Sequence, residues 1–352
     1  MWRYGICLYY DGRYNEAEIS FKQVMKTRKR VLGEEHPSTL SSMANLASTF
    51  WNQGRWKEAE ELEVQVIETS LRVLGAEHPS TLTSMANLAS TYRNQGRWKE
   101  AEELQAKELK ICSRVLGAEH PDTLTSMANL ASTFWNQGRW KEAEELEVQV
   151  IETNLRVLGA EHPDTLTCTA NLASTYGDQG RWKEAEELEV QVMEMRKRVL
   201  GGEHPSTLTS MANLASAYRN QGQWKEAEEL EVQVIEMRKR VLGAEHPSTL
   251  TSMANLASTF WNQGRWKEAE ELEVQVIEIS SRVLGAEHPD TLASMNNLAL
   301  TLKAQGRNDE GISLMEKCFQ LQEQVLGPQH PYTTSSLKAL NEWQLENMEI
   351  GL

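Results

Sequence analysis

One period of 42 residues runs through this 352-residue chain and limits what it can fold into. His36, His78, His120, His162, His204, His246, His288 and His330 each follow the previous one by 42 residues, and each precedes a proline. The stretches between them recur too. Leu46-Ala47-Ser48-Thr49 returns as Leu88-Ala89-Ser90-Thr91, and Gly54-Arg55-Trp56-Lys57-Glu58-Ala59-Glu60 as Gly96-Arg97-Trp98-Lys99-Glu100-Ala101-Glu102. A fixed period of this size marks an array in which each unit buries its apolar face only against its neighbours. Such a chain is one element repeated, with no central cavity of the enzyme kind.

Within a unit the pattern is helical. Pro37 suits a first helical turn, where its missing N–H costs nothing. Ser38 and Thr39, or Asp122 and Thr123 in another copy, can serve the unpaired N–H groups or the dipole there. Leu40, Met43, Leu46, Ala47 and Phe50 then recur at helical spacing, and Gly54 supplies a left-handed stop. A second helix is expected from Arg55 or Trp56 to Leu74, with Trp56, Ala59, Leu62, Val66 and Val73 on its buried side. Gly75 and Pro79 end it. Small Ala47 and Ala59 let the two helices approach closely as an antiparallel pair. The reading is all-α: an incomplete unit over 1–35, seven complete units over 36–329, and a capping helix over 330–352. Met1 aligns with Met43 inside a helix, so the chain is expected to start part-way through its first unit, as a fragment would.

Composition bounds the partners. The formal net charge is −15, which disfavours nucleic-acid backbones and anionic membranes and suits basic or neutral protein partners. Cys7, Cys112, Cys168 and Cys318 fall at four different places in the repeat, without the related spacings of a disulfide framework or a zinc site. No run reaches membrane-spanning length, and the N-terminus lacks a secretory pattern. A cytoplasmic protein is expected.

Leu46-Ala47-x-x-Phe50 followed by Gly54-x-Trp56-x-x-Ala59 resembles the tetratricopeptide pattern. The whole phrase is similar to the 42-residue repeats of kinesin light chains, and more so to the long, nearly identical C-terminal arrays of fungal NACHT or NB-ARC signalling ATPases. The resemblance implies a right-handed superhelical solenoid of antiparallel helix pairs, acting as a non-catalytic scaffold for a peptide or partner domain in a concave groove. It leaves open a cargo adaptor of the kinesin-light-chain type or the sensor segment of a signalling ATPase. Neither a heptad coiled coil nor a Gly-Lys-Ser/Thr phosphate loop is present in these residues.

The side chains that invite chemistry read as scaffold. Histidines one whole unit apart cannot converge on one ion, so no metal is expected, and they read as inter-repeat contacts or helix caps. Glu58, Glu60, Glu61, Glu63 and their copies sit in the first turns of a helix, where they favour the dipole and are expected to stay solvated. No cofactor and no catalytic residue is indicated. Trp56, Trp98, Trp140, Trp182, Trp224 and Trp266 are expected in the core. Arg28-Lys29-Arg30, Arg196-Lys197-Arg198 and Arg238-Lys239-Arg240 read as solvated helix ends, with a localisation or anion patch as the alternative.

Two positions remain for recognition. Ser41, Asn45, Ser48 and Asn52 form one polar stripe along the first helix. The resemblance implies that this helix lines the groove and that Asn45, Asn87, Asn129, Asn171, Asn213, Asn255 and Asn297 hold the backbone of an extended peptide, since an amide both donates and accepts. The competing reading has these amides bonding across adjacent helices. The second position holds Trp51, Arg93, Trp135, Gly177, Arg219, Trp261 and Lys303 in successive units. Such variation implies an exposed or half-exposed site, with Trp51, Arg93, Trp135, Arg219 and Trp261 setting specificity.

Overall fold

The computed structural model describes the backbone of residues 1–350 and the side chains of residues 1–346. The last two residues of the expected terminal helix, 351 and 352, lie outside the described residues. Every element found is an α-helix. After α1 (Trp2–Tyr10) and α2 (Tyr14–Leu32), the first helices of successive pairs are α3 (Pro37–Asn52), α5 (Pro79–Asn94), α7 (Pro121–Asn136) and α9 (Pro163–Asp178). Their second helices are α4 (Trp56–Val73), α6 (Trp98–Val115), α8 (Trp140–Val157) and α10 (Trp182–Leu200). These ten helices form one compact unit, residues 1–202. A second unit, residues 203–352, holds the pairs α11 (Pro205–Asn220) with α12 (Trp224–Val241), α13 (Pro247–Asn262) with α14 (Trp266–Val283), and α15 (Pro289–Ala304) with α16 (Asn308–Val325). It ends in α17 (Pro331–Ile350). Each unit is a solenoid of stacked helix pairs.

The periodic histidines start the first helices. His36 is the N-cap of α3, and its Nδ1 accepts the Ser38 N–H at 3.1 Å. Pro37 is the first helical residue. The same bond recurs in each later copy, as at His120 with Asp122 (3.2 Å) and His330 with Tyr332 (3.2 Å). The caps are therefore imidazoles, one of the two structural roles expected for these histidines, while Ser38 and Thr39 do not supply them. Thr39 is spent elsewhere: its hydroxyl donates to Gly33 O at 2.8 Å and ties the linker to the new helix. The helices end at Gly54 (φ 69°) and Gly75 (φ 92°), in the left-handed region that favours glycine.

Close packing follows from the small residues. Ala47 and Ala59 are completely buried, with Leu46 and Phe50 beside them. In the second unit, Leu250, Met253, Leu256 and Val276 form an equivalent cluster. The turn carries a polar staple between neighbouring pairs. Arg55 Nη1 donates to Glu18 of the preceding second helix at 2.7 Å, Nε donates to Glu58 at 2.5 Å, and the guanidinium stacks 4.2 Å from the Phe50 ring. Gln53 reaches the same Glu18 at 2.9 Å. Arg97 repeats the arrangement with Glu60, Glu100 and Tyr92.

Three sequence expectations are corrected here. The Trp56-class rings are not core: Trp140, Trp224 and Trp266 are 38%, 40% and 39% exposed. They lie over the turn as lids, the Trp56 and Trp98 indole N–H groups donating to Trp51 O and Arg93 O, both at 3.2 Å. Val73 is likewise outward-facing. Glu63, by contrast, is buried although its neighbours Glu58 and Glu61 are solvated. It stands seven residues after Trp56 and four after Ala59, which turns it into the seam.

Candidate functional site: the first-helix face

The first helices present one face in which every unit repeats the same polar positions. Ser41 is exposed, while Asn45, Ser48 and Asn52 are half-buried. Asn45, Asn87, Asn129, Asn171, Asn213, Asn255 and Asn297 are all half-buried. Among the described residues their side-chain amides take part in no hydrogen bond, the cross-helix bond considered from sequence included. Asn52 behaves differently from this set. Its Nδ2 donates to Ser48 O at 2.9 Å and to the Tyr9 hydroxyl at 2.8 Å, and Asn136 and Asn262 bond back to Ser132 O and Ser258 O at 2.7 Å. That amide closes its own helix end.

The variable position next to Asn52 is exposed or half-buried at every copy but Gly177, which is buried. Trp135 and Trp261 are 37% and 41% exposed, and the Trp135 indole offsets in part the upward push that burial gives the Asp178 carboxyl. Trp51 is half-buried, its indole nitrogen without a partner. The arginines turn inward. Arg93 is largely desolvated, which pushes its pKa down, and its Nη2 lies 3.4 Å from Ser90 Oγ. Arg219 donates to Ser216 Oγ (3.1 Å) and Asn255 O (3.2 Å) and lies 3.4 Å from buried Glu231. At Gly177 a Cβ would meet the Trp182 ring at 3.2 Å, so this position packs against the lid tryptophan. Lys303 pairs with Glu346 at 2.8 Å.

Two features escaped the sequence reading. The first is a set of buried carboxyls. Glu63, Glu147, Glu231 and Glu273 are 2–5% exposed, each with an Oε2 lacking a hydrogen-bond partner. Burial pushes each up to about 7; the Thr91, Thr175, Thr259 and Thr301 hydroxyls of the following helices offset this in part. Gln105 occupies the same position as a neutral amide and accepts the Thr133 hydroxyl at 2.6 Å. The second feature is the position held by Arg28, Ser70, Cys112, Asn154, Arg196, Arg238, Ser280 and Gln322. Arg196 and Arg238 are only 6% exposed, so the basic clusters are not simply solvated helix ends. The available signal was spacing: Ser70 lies four residues after Val66, on the buried stripe, and it varies.

That position forms the floor of clefts between successive first helices. One cleft of about 300 Å³ is lined by Leu40, Ser41, Asn45, Ser70, Ser84 and Asn87, among others. Its counterpart two repeats on, about 200 Å³, is lined by Leu124, Thr125, Asn129, Asn154, Cys168 and Asn171. Both belong to the first unit, and each opens beside two of the groove asparagines.

Nothing on this face is arranged for catalysis. Among the described residues no group of three or more His, Cys, Asp or Glu is placed to hold a metal ion. Burial pushes the Cys112 and Cys168 thiols up to about 11 and Cys318 to about 12, which removes their nucleophilic form at neutral pH. No helix among the described residues is long and apolar enough to cross a membrane.

Comparison with known proteins agrees with this anatomy. Tetratricopeptide repeat models match residues 1–72 and 80–155, and again 165–206, 207–248, 249–290 and 291–332. No curated protein matches the chain. Among solved structures, the "nearly identical TPR-like repeats" of a Podosopora anserina putative kinesin light chain are 38% identical, covering 58% of this chain and 97% of that one, with a TM-score of 0.48. BtubC (BKLC) of P. vanneervenii is 20% identical over 65% of this chain and 92% of its own, with a TM-score of 0.53. A Rap protein complexed with competence and sporulation factor is 10% identical over 99% and 97%, with a TM-score of 0.56. The last two are likenesses of fold alone. With the repeat models spanning nearly all of it, this non-catalytic, all-helical chain belongs to the tetratricopeptide repeat family.

Proposed function

We propose that the protein is a binding scaffold that holds an extended peptide, or an extended segment of a partner protein, along its first-helix face. The observation that carries this is the asparagine series: one amide per unit, half-buried, at the same helical position, and unused within the chain. Leaving an amide unused while its Asn52-type neighbour is bonded is an uneconomical way to build a helix. It is a good way to build a peptide ladder, because an amide serves a peptide N–H and C=O alike without demanding a sequence. Specificity then falls to side chains that differ between units, the exposed Trp135 and Trp261 among them.

Two settings suit such a scaffold: a cargo adaptor of the kinesin-light-chain type, or the sensor segment of a NACHT/NB-ARC signalling ATPase. The encoded sequence ahead of Met1 separates them, heptads supporting the first and a Gly-rich phosphate loop the second. The groove itself is tested by replacing Asn129, Asn171 and Asn213 together by alanine. Affinity for peptides selected against the wild-type chain from a random display library is expected to fall at least about tenfold, one bond's worth of about 1 kcal/mol being lost at each amide. Unchanged affinity with unchanged helicity contradicts the amide ladder.

A further inference from the structure

The floor position of the inter-helix seams shows what chemistry those seams accept, because three units fill theirs with the chain's own arginine. Arg28 Nη1 donates to Ser38 O at 2.9 Å and Ser42 Oγ at 2.8 Å. Arg238 Nη1 donates to the equivalent Ser248 O and Ser252 Oγ, both at 2.7 Å, and its Nη2 lies 3.3 Å from Thr209 Oγ1 of the preceding first helix. Arg196 Nη2 donates to Thr167 Oγ1 at 3.0 Å. A carbonyl and a hydroxyl one turn apart on the following first helix, with a hydroxyl opposite, thus make a cradle for a guanidinium.

The cradle persists where the arginine is missing. In the Ser70 seam the same pair is already assembled, Ser84 Oγ donating to Ser80 O at 2.8 Å, and Ser41 lies on the other wall of the 300 Å³ cleft. That space corresponds to about ten waters at roughly 30 Å³ each, ample for a side-chain head group. In the Asn154 seam Thr125 keeps its place on one wall, Cys168 stands where the cradle hydroxyl stands elsewhere, and the Asp164 carboxylate, which also lines the cleft, supplies an acceptor instead. The seam between these two holds a third variation. Glu108 stands where six other units have valine and the last has Cys318, and it is 4% exposed. Its Oε1 accepts from Ser126 Oγ at 2.7 Å and Cys112 Sγ at 3.1 Å, while its Oε2 has no partner at all. A buried carboxyl with one oxygen unpartnered is costly to keep. It is relieved by a planar donor fork that meets both oxygens.

We propose that the three consecutive seams floored by Ser70, by Cys112 with Glu108 beside it, and by Asn154 are subsites for arginine side chains of an extended partner, one guanidinium entering the place that Arg28, Arg196 and Arg238 occupy in their own units. This deepens the groove reading above and rests on it. Units with an internal arginine are closed to such a side chain, so the variation at the floor position determines where along the face arginines are read. Lysine lacks the planar fork and is a poorer fit. The acidic character of the chain, net charge −15, favours the approach of such a partner.

The test uses the full chain and fluorescein-labelled Gly-Ser peptides carrying a single arginine, citrulline or lysine, followed by fluorescence anisotropy. Arginine is expected to bind at least about tenfold tighter than neutral, near-isosteric citrulline, the range of one charge-assisted hydrogen bond, with lysine between them. A triple variant, Ser70→Arg with Glu108→Val and Asn154→Arg, installs residues that other units already carry at these places, and circular dichroism checks its fold. It is expected to lose the arginine preference and keep the citrulline affinity. A preference that survives in this variant overturns the subsites and assigns the effect to general surface charge. Equal binding of arginine and citrulline, sensitive to Asn129→Ala with Asn171→Ala, overturns the subsites and leaves the groove standing. Failure of every peptide to bind overturns both.

Discussion

At the scale of single residues, the account turns on side chains whose environment contradicts their type. Glu63, Glu147, Glu231 and Glu273 are, like Glu108 and Glu189, buried glutamates in an array that keeps most of its carboxylates wet. Their folded carboxyls hold a proton up to about 7, above the ordinary 4.5. The native state therefore binds more protons than the unfolded chain between those values, and stability falls as pH rises from 4.5 to 7, then levels. The cost is on the order of 1–3 kcal/mol per site. Replacing all four by glutamine, the residue nature places at Gln105, is expected to raise the urea midpoint at pH 8 and leave it nearly unchanged at pH 4.5. An equal shift at both values would mean that these carboxyls are ionised throughout. None of this was legible in Glu-Ala-Glu-Glu-Leu-Glu, because a charged letter on a helix says nothing of which face it takes until the neighbouring unit is in place. The floor arginines Arg196 and Arg238 were misread for the same reason: their basic neighbours are solvated, but the seam turns one residue in each cluster inward.

At the scale of the element, period, punctuation and the histidine's structural place at the joint, as contact or cap, were readable, and the lid role of the tryptophan was not. Helix limits at Pro37 and Asn52, and at Trp56 and Val73, follow the proline and glycine signals closely. The histidine before each proline was recognisable as a joint, yet its role as the capping acceptor depends on a backbone φ of −68° and ψ of 134° that places Nδ1 over the N2 amide. His120→Ala is expected to lower stability by about 1 kcal/mol, with His120→Asn restoring most of it, as an N-cap exchange does. Thermal unfolding monitored by circular dichroism reads both; an alanine variant as stable as the wild type would show that the imidazole bond contributes nothing. The Trp56-class ring was assigned to the core by size alone. In the structure, a short turn brings it over the end of the first helix, where a polar edge finds a carbonyl and one face stays in water.

At the scale of the whole molecule, each unit's stability is built from contacts between neighbouring helix pairs, and function has to be built the same way. The caps are constant from pair to pair, and the staples and alanine contacts recur except where Gln223 replaces the turn arginine and Gly311 the alanine. The recognition residues are few and sit on that constant frame: an amide per first helix, a variable tryptophan or arginine beside it, and a floor residue that either fills the seam or leaves it open. The asparagine stripe could be read from spacing, since a helix carries its face in its sequence. The seams could not, being made by two first helices and the second helix between them. The central claim is that a partner lies on the first-helix face. The most direct measurement places a photoreactive residue at Thr125, on that face, or at exposed Gln149 on the second helix α8, and cross-links each to a display-selected peptide. The account predicts covalent product from position 125 and none from position 149; product from 149 alone would contradict it.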